Sequence, residues 1–264
     1  MTPGSTYAGW VTDSLLDRVA RLPFVVPEDS TGARPTGAPP RGSPDPSGQT
    51  GVPPRGSPDP SGQTGVPASV LLALAPVDGA DDLELLLVQR PDHLRQHAGQ
   101  VGLPGGAVDP GDADGVAAAL REAQEEVGLD PAAVRVLGSL DRAYLPVSDF
   151  DVLPVVGVWD GRAALRPSPE EVAGILRPTL RQLADPANHG TLPISRILGE
   201  DVVRARGVGD LRSPVFWVGG TLVWGFTAGL LAGFLHSLGL DAPPVPASWG
   251  ARPVPPRRSR STGP

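Results

Sequence analysis

Cysteine is absent from the 264 residues, which excludes disulfides, zinc–thiolate sites and cysteine nucleophiles. Lysine is absent as well, so all 22 basic residues are arginine, and neither a P-loop lysine nor Schiff-base chemistry is open to the chain. Alongside abundant alanine, glycine and proline, an arginine-only complement reads as the codon bias of a GC-rich genome rather than as a functional signal. Positive charge is short overall. The 22 basic side chains face 29 acidic ones, and the formal net charge of −7 argues against a general nucleic-acid binder, which relies on clustered basic groups to displace phosphate counterions. The opening MTPGSTYAGWVTDSLLDRVARL lacks a charged start followed by an apolar run, so no secretory leader is expected and the expected location is cytoplasmic. A long uninterrupted apolar helix is missing too. The charge-free stretch from Phe216 to Leu235 contains five glycines, and Gly219-Gly220 falls between two short apolar runs. That reads as a hairpin turn joining strands Val215–Val218 and Thr221–Trp224, followed by a helix from Gly225 to Leu238, rather than as a membrane span.

Glycine (34) and proline (33) are concentrated in a few places. Residues 39–52, PPRGSPDPSGQTGV, recur without change at 53–66, and so polar a stretch has little apolar surface to offset the entropy of ordering. Four regions are expected: an N-terminal helical segment over 1–28, a disordered linker over 29–67, one core domain over 68–241, and a disordered Pro/Arg-rich tail over 242–264. In the first, Leu15, Leu16, Val19 and Leu22 stand at helical spacing with Asp13 as a possible cap, and this short helix is expected to dock on the core. The core opens with ASVLLALA and LELLLVQ, two apolar runs flanking a turn at Pro76–Asp82. Further strands are expected at Val134–Leu140 and Phe150–Val158, and another at Val172–Leu176. Strands and helices mixed in this order predict an α/β sandwich with a mixed sheet.

The segment Leu103–Asp130, LPGGAVDPGDADGVAAALREAQEEVGLD, carries the chemistry. Val116, Ala119, Leu120, Ala123 and Val127 form one apolar helical face, with Asp112 or Asp114 able to cap the start and Gly128 the end. On the same helix Glu122, Glu125 and Glu126 are related by i, i+3 and i+4, which turns their carboxylates to one side. Converging carboxylates repel unless a cation sits among them, and magnesium, a hard ion that bridges carboxylates to phosphates, is the natural choice, with manganese possible. The preceding Pro104-Gly105-Gly106 lets backbone approach a metal or phosphate closely.

The run REAQEEVGL, with its upstream glycine, resembles the Nudix box: glycine, five residues, glutamate, seven residues, then Arg-Glu-apolar-x-Glu-Glu-x-Gly-apolar. The resemblance implies a Nudix-type α/β/α sandwich. It further implies that Glu122, Glu125 and Glu126 are metal ligands, joined by the backbone of Gly105 or Gly106, and that Arg121 orients a glutamate through an ion pair. Two departures stand out. Gly106 to Arg121 is one residue longer than the pattern, and the first glutamate is missing, with Asp112 or Asp114 nearest to its place.

Upstream, Leu85–Gly106, LLLVQRPDHLRQHAGQVGLPGG, is similar to the signature preceding that box in coenzyme A pyrophosphatases. Arg90, Leu94, Arg95, His97, Gly99, Val101 and Pro104 occupy matching positions, and Leu103 replaces the usual phenylalanine. The later VWGFTAGLLAGFL resembles the end of those enzymes' core. Arg90 and Arg95 suit bidentate contact with phosphate oxygens, His97 suits donation to phosphate, and Gly105 suits backbone contact with substrate. The implied reaction is Mg²⁺-dependent hydrolysis of the diphosphate of coenzyme A to 3′,5′-ADP and 4′-phosphopantetheine. Glu125, Glu126 and Arg121 are the expected catalytic group; Glu126 is the first choice of proton acceptor and Glu171 the second. The rival substrates are ADP-ribose or another nucleoside diphosphate conjugate, and the rival class is a non-catalytic ligand sensor. The expected partner is thus a small molecule, with neither nucleic acid nor membrane, and a homodimer is possible.

Overall fold

The structure is a computed structural model and describes residues 14–24, 65–94, 97–145, 149–206 and 211–245. The duplicated linker up to Thr64, the tail from Pro246, Arg95 and the proposed cap Asp13 lie outside these residues. In chain order the elements are α1 (Leu15–Ala20), β1 (Val66–Pro76), β2 (Leu83–Leu85), β3 (Leu87–Gln89), β4 (Val101–Gly102), β5 (Gly105–Ala107) and α2 (Gly115–Val127). There follow β6 (Arg135–Ser139), β7 (Ala143–Leu145), β8 (Phe150–Val158), β9 (Gly174–Leu176), α3 (Leu180–Leu183), β10 (His189–Pro193), α4 (Ile194–Leu198) and α5 (Glu200–Arg206). The last three are β11 (Arg212–Val218), β12 (Thr221–Trp224) and α6 (Gly225–Ser237).

The central strand is β1. It runs parallel to β8 from Val66↔Phe150 to Leu74↔Val158, while β5 and β2 share its other edge, both antiparallel. A mixed sheet is the result, as the order of elements predicted. Because β1 is covered on both faces it is apolar at nearly every position rather than alternating. Leu71, Ala73 and Ala75 join Ala119, Ala123, Val127 and Leu129 on the α2 side, whereas Leu72 and Leu74 join Phe216, Leu231, Phe234 and Leu235 on the α6 side. The layers are therefore helix, sheet and helix, and the fold is α/β.

Three expectations need adjustment. The run LELLLVQ is not one strand: β2 pairs with β1, but β3 leaves to pair with β4 and β9. Leu86, between them, donates its N–H to the Ala73 carbonyl and buries its side chain on the α2 face, so the chain switches sheets without losing core contact. The cap of α1 is Ser14, whose hydroxyl accepts from the Asp17 amide, rather than Asp13. The first strand of the core begins at Val66, inside the second copy of the repeat. By contrast, Gly219 (φ 56) and Gly220 (φ 84) make the expected turn between β11 and β12, since both adopt the left-handed region that a two-residue hairpin demands. Among the described residues no helix is long and apolar enough to cross a membrane.

Helix α1 is part of the core. Leu15 and Val19 are wholly buried within the α6-side cluster, and the Leu15 N–H donates to Asp81 Oδ1 at 2.7 Å in the turn after β1. Replacing Leu15 by Ala leaves a cavity in that cluster. The expected loss is about 2–5 kcal/mol of stability, read as a shifted urea midpoint with an unchanged slope.

Candidate active site

Strand β5 places the glycines. Ser69 of β1 pairs with Gly106 and Val70 with Gly105, so the Gly-Gly step lies flat on the edge of the central strand. At Gly105 (φ 154) a Cβ would run into the Ser69 carbonyl oxygen and lie 2.7 Å from Val70 Cα, so only glycine fits. At Gly106 a Cβ would come within 2.5 Å of a Glu122 carboxylate oxygen. That missing side chain is the space in which Glu122 sits.

Helix α2 crosses above this strand. Its start is capped by Asp114, whose carboxylate accepts from the Ala117 amide at 2.8 Å, and its end by Gly128 at φ 69. Four helical residues advance about 6 Å. Glu122 accordingly meets Gly106, and Glu126, one turn on, accepts a hydrogen bond from the Gly105 N–H at 3.2 Å. The loop after β8 ties down the same end of the helix: Arg166 and Ser168 donate their N–H groups to the Val127 and Glu126 carbonyls at 2.7 and 2.8 Å. Satisfying those terminal carbonyls brings Glu171 along, and its charge is felt at both Glu122 and Glu126.

Arg121 gathers the acidic groups. Its Nε and Nη2 donate to the two oxygens of Asp112 at 3.0 and 3.1 Å, and Nη2 also reaches the Ala107 carbonyl at 3.1 Å. Nη1 donates to Glu122 at 3.0 Å and to Glu125 at 2.8 Å. The two aspartates left open by the sequence thus have separate tasks, Asp112 binding Arg121 and Asp114 capping the helix. The three helix glutamates share a face, but their oxygens do not close on one point. Among the described residues no three acidic or imidazole side chains stand close enough to hold an ion, and Glu125 rests on Arg121 instead.

Burial decides the electrostatics. Glu126 is only 3% exposed, and the nearest guanidinium, Arg90 Nη1, is 4.0 Å away. Desolvation pushes the Glu126 carboxyl up to about 7, against the lowering effect of the Gly105 hydrogen bond, with Glu122 adding to the rise. The Glu122 carboxyl is also raised, chiefly by burial. The Arg121 hydrogen bonds hold Asp112 below the usual carboxylate range. One buried and one partly buried carboxylate raised in this way lack positive charge, and a hard divalent cation with oxygen ligands would supply it. Glu122 and Glu126, with Glu125 released from Arg121, are the residues that would hold it.

The upstream motif is partly in view. Arg90 faces Glu126, and its buried Nε has no hydrogen-bond partner among the described residues. His97 is exposed, has a left-handed backbone (φ 56), and shares a 2.9 Å hydrogen bond between Nδ1 and Gln100 Oε1. Gly105, whose backbone is expected to contact substrate, donates its N–H to Glu126 here.

A family model described as the NUDIX domain matches residues 68–194. The chain is 42% identical to the uncharacterized Nudix hydrolase NudL of Salmonella paratyphi B over 167 residues, spanning 63% of this chain and 81% of that protein. To NudL of Escherichia coli it is 39% identical over 168 residues, with the same coverage. Among solved structures, a Nudix hydrolase of M. smegmatis, RenU, shares 22% identity over 55% of this chain and 88% of its own, with a TM-score of 0.39. The NUDIX domain of Shewanella oneidensis NrtR, solved with ADP ribose, shares 20% over 56% and 92%, with a TM-score of 0.38. The sequence relatives define the class, an enzyme that hydrolyses phosphoanhydrides. This chain belongs to the Nudix hydrolase family.

Because folding raises the Glu126 carboxyl from 4.5 to about 7, the fold favours the protonated form, and stability falls as pH rises through that interval. In chelator, the wild type is expected to lose about 3 kcal/mol more than Glu126→Gln between pH 4.5 and 8, the equivalent of that shift. Urea melts at the two pH values check this, and parallel pH dependence in both proteins would contradict it.

Proposed function

We propose that this Nudix hydrolase acts on coenzyme A or a derivative of it, releasing 3′,5′-ADP and 4′-phosphopantetheine in a Mg²⁺-dependent reaction, Mn²⁺ being a possible substitute, in the cytoplasm. The observation that carries this reading is the position of Arg90. It opens the coenzyme A-type signature and its guanidinium faces Glu126, joining the substrate motif to the carboxylate helix.

In this reading Glu122, Glu125 and Glu126 hold the divalent ion, with the Gly106 carbonyl as a further ligand. When bound, the ion neutralises phosphate charge and lowers the pKa of attacking water. Glu126 takes the water's proton. Its raised affinity for a proton suits that role near neutral pH, and Glu171, whose charge is felt at Glu126, is the second choice. Arg90 and Arg95 hold the diphosphate oxygens, and Gln100 steadies His97 for contact with a phosphate. Arg121 acts on the ligands rather than on the substrate, keeping Glu122 and Glu125 together before the ion arrives.

Purified protein incubated with Mg²⁺ and a panel of coenzyme A, acetyl-coenzyme A, ADP-ribose and diadenosine tetraphosphate is expected to turn over the coenzyme A compounds with the highest kcat/KM. A preference for ADP-ribose would replace this substrate with the rival one. Glu126→Gln is expected to reduce kcat by about 10²–10⁴-fold, the usual contribution of a positioned acid or base. Glu125→Gln is expected to raise the Mg²⁺ concentration needed for half-maximal rate. Wild-type turnover by both variants would remove the carboxylates from the mechanism.

A further inference from the structure

We infer that Ser69 is a positioning residue of this site: its hydroxyl is the donor that orients Glu122 when a divalent ion draws that carboxylate away from Arg121. The inference rests on the metal-dependent reading above and deepens it. Strand β1 carries one polar side chain among its eleven residues, that of Ser69. It is wholly buried, and its Oγ has no hydrogen-bond partner among the described residues. Further along the same face of the strand, Leu71, Ala73 and Ala75 pack under α2. Alanine would therefore serve the packing at position 69, whereas an unpaired buried hydroxyl lowers stability. A polar group kept against that cost points to a second state in which it is paired.

The strand ladder identifies the partner. Ser69 stands directly opposite Gly106, and residues so paired hold their Cβ positions about 4.5–5.5 Å apart on one face. Glu122 fills the space of the missing Gly106 side chain, with its carboxylate atoms 2.5 to 2.9 Å from where a Cβ would stand. On its other side the hydroxyl is closed in. A Cβ on Gly115 would lie 2.8 Å from Ser69 Oγ and 2.7 Å from Cδ2 of Leu153, the neighbour of Ser69 on β8. Of the side chains that these contacts place around Ser69, Glu122 alone carries an acceptor. Rotation about one bond, between staggered positions, turns the hydroxyl from Gly115 towards that carboxylate. Without an ion, Glu122 Oε1 is held by Arg121 Nη1 at 3.0 Å. An ion that takes this oxygen leaves the carboxylate to be oriented by another donor. A hydroxyl does so without adding positive charge, and it therefore holds the ligand without competing with the cation.

The test pairs Mn²⁺ titrations followed by electron paramagnetic resonance with thermal melts in chelator, for wild type, Ser69→Ala, Glu122→Asp and the double variant. Ser69→Ala is expected to weaken Mn²⁺ binding about 10-fold, the lower end of the usual effect of losing a group that orients a metal ligand. In chelator it is expected to melt no lower than wild type, because the hydroxyl it removes has no partner there. Lost affinity without lost stability is a combination that a merely structural serine does not give. Glu122→Asp keeps an ion ligand but withdraws it from the strand by one methylene. In that background Ser69→Ala is expected to alter Mn²⁺ affinity less than about two-fold, since Ser69 acts through Glu122. Equal losses in both backgrounds, or a Ser69→Ala protein that melts lower in chelator, would overturn the inference. A wild type that binds no Mn²⁺ would overturn the metal reading along with this one. Wild-type binding with the same affinity in Ser69→Ala would overturn this one alone.

Discussion

The structure of the site depends on one costly arrangement, the carboxylate of Glu126 held out of water against the backbone of a Gly-Gly strand. A carboxylate so placed must give up its charge, find a cation or be expelled. Here the Gly105 N–H offers one hydrogen bond and Arg90 a distant charge, and neither suffices to keep the group in its ordinary range. The folded protein is thus prepared for a positive ion before one arrives. Should Glu126 hold that ion as proposed, stability and ion affinity would be linked through the same side chain.

The fold delivers this carboxylate by ordinary means. Strand β1 buries both faces, so the edge that it offers to β5 is fixed by the whole core, and the glycines on β5 are placed to within the tolerance of a strand ladder. Helix α2 lies over them because Ala119, Ala123 and Val127 seat its apolar face on β1. Glu126 neighbours Val127 and is buried by the same packing that holds the helix. The loop that closes the helix end carries Glu171, so one set of hydrogen bonds both terminates α2 and completes the acidic wall. Chemistry and core packing are not separable here.

Much of this was legible in the residues, and the exceptions have identifiable causes. The i, i+3, i+4 glutamates, the glycine cap and the Gly-Gly hairpin are local signals, each fixed by the geometry of one element. The sheet switch at Leu86 is not local. LELLLVQ reads as one apolar run, and only the partners of its two halves reveal that it serves two sheets. The short strands β4, β5 and β7 escaped notice for the same reason, since two or three residues carry no period. Helix α3 did leave a signal, because Thr179 and Gln182 form a capping box that the sequence spells out. The choice between Asp112 and Asp114 rested on where a turn closes, and spacing alone does not encode that.

The balance of charge argues for how a site of this kind handles an anionic substrate. Among the described residues, Glu122, Glu125, Glu126 and Asp112 meet only Arg121 and Arg90 as arginine partners, and the charge of Glu171 is felt beside them, so acid exceeds base wherever the oxygens are ionised. An approaching diphosphate is repelled by such a wall, while a divalent cation is drawn to it, and the order of binding is thereby biased towards metal first or metal and diphosphate together. Arg90 stands at the boundary of the two charges. Its Nε has no protein acceptor among the described residues and its Nη1 only reaches towards Glu126. In the proposed reaction, a cation that took over the neutralisation of Glu126 would leave that guanidinium free to turn to a phosphate oxygen, and metal occupancy would then be coupled to substrate binding through a single side chain.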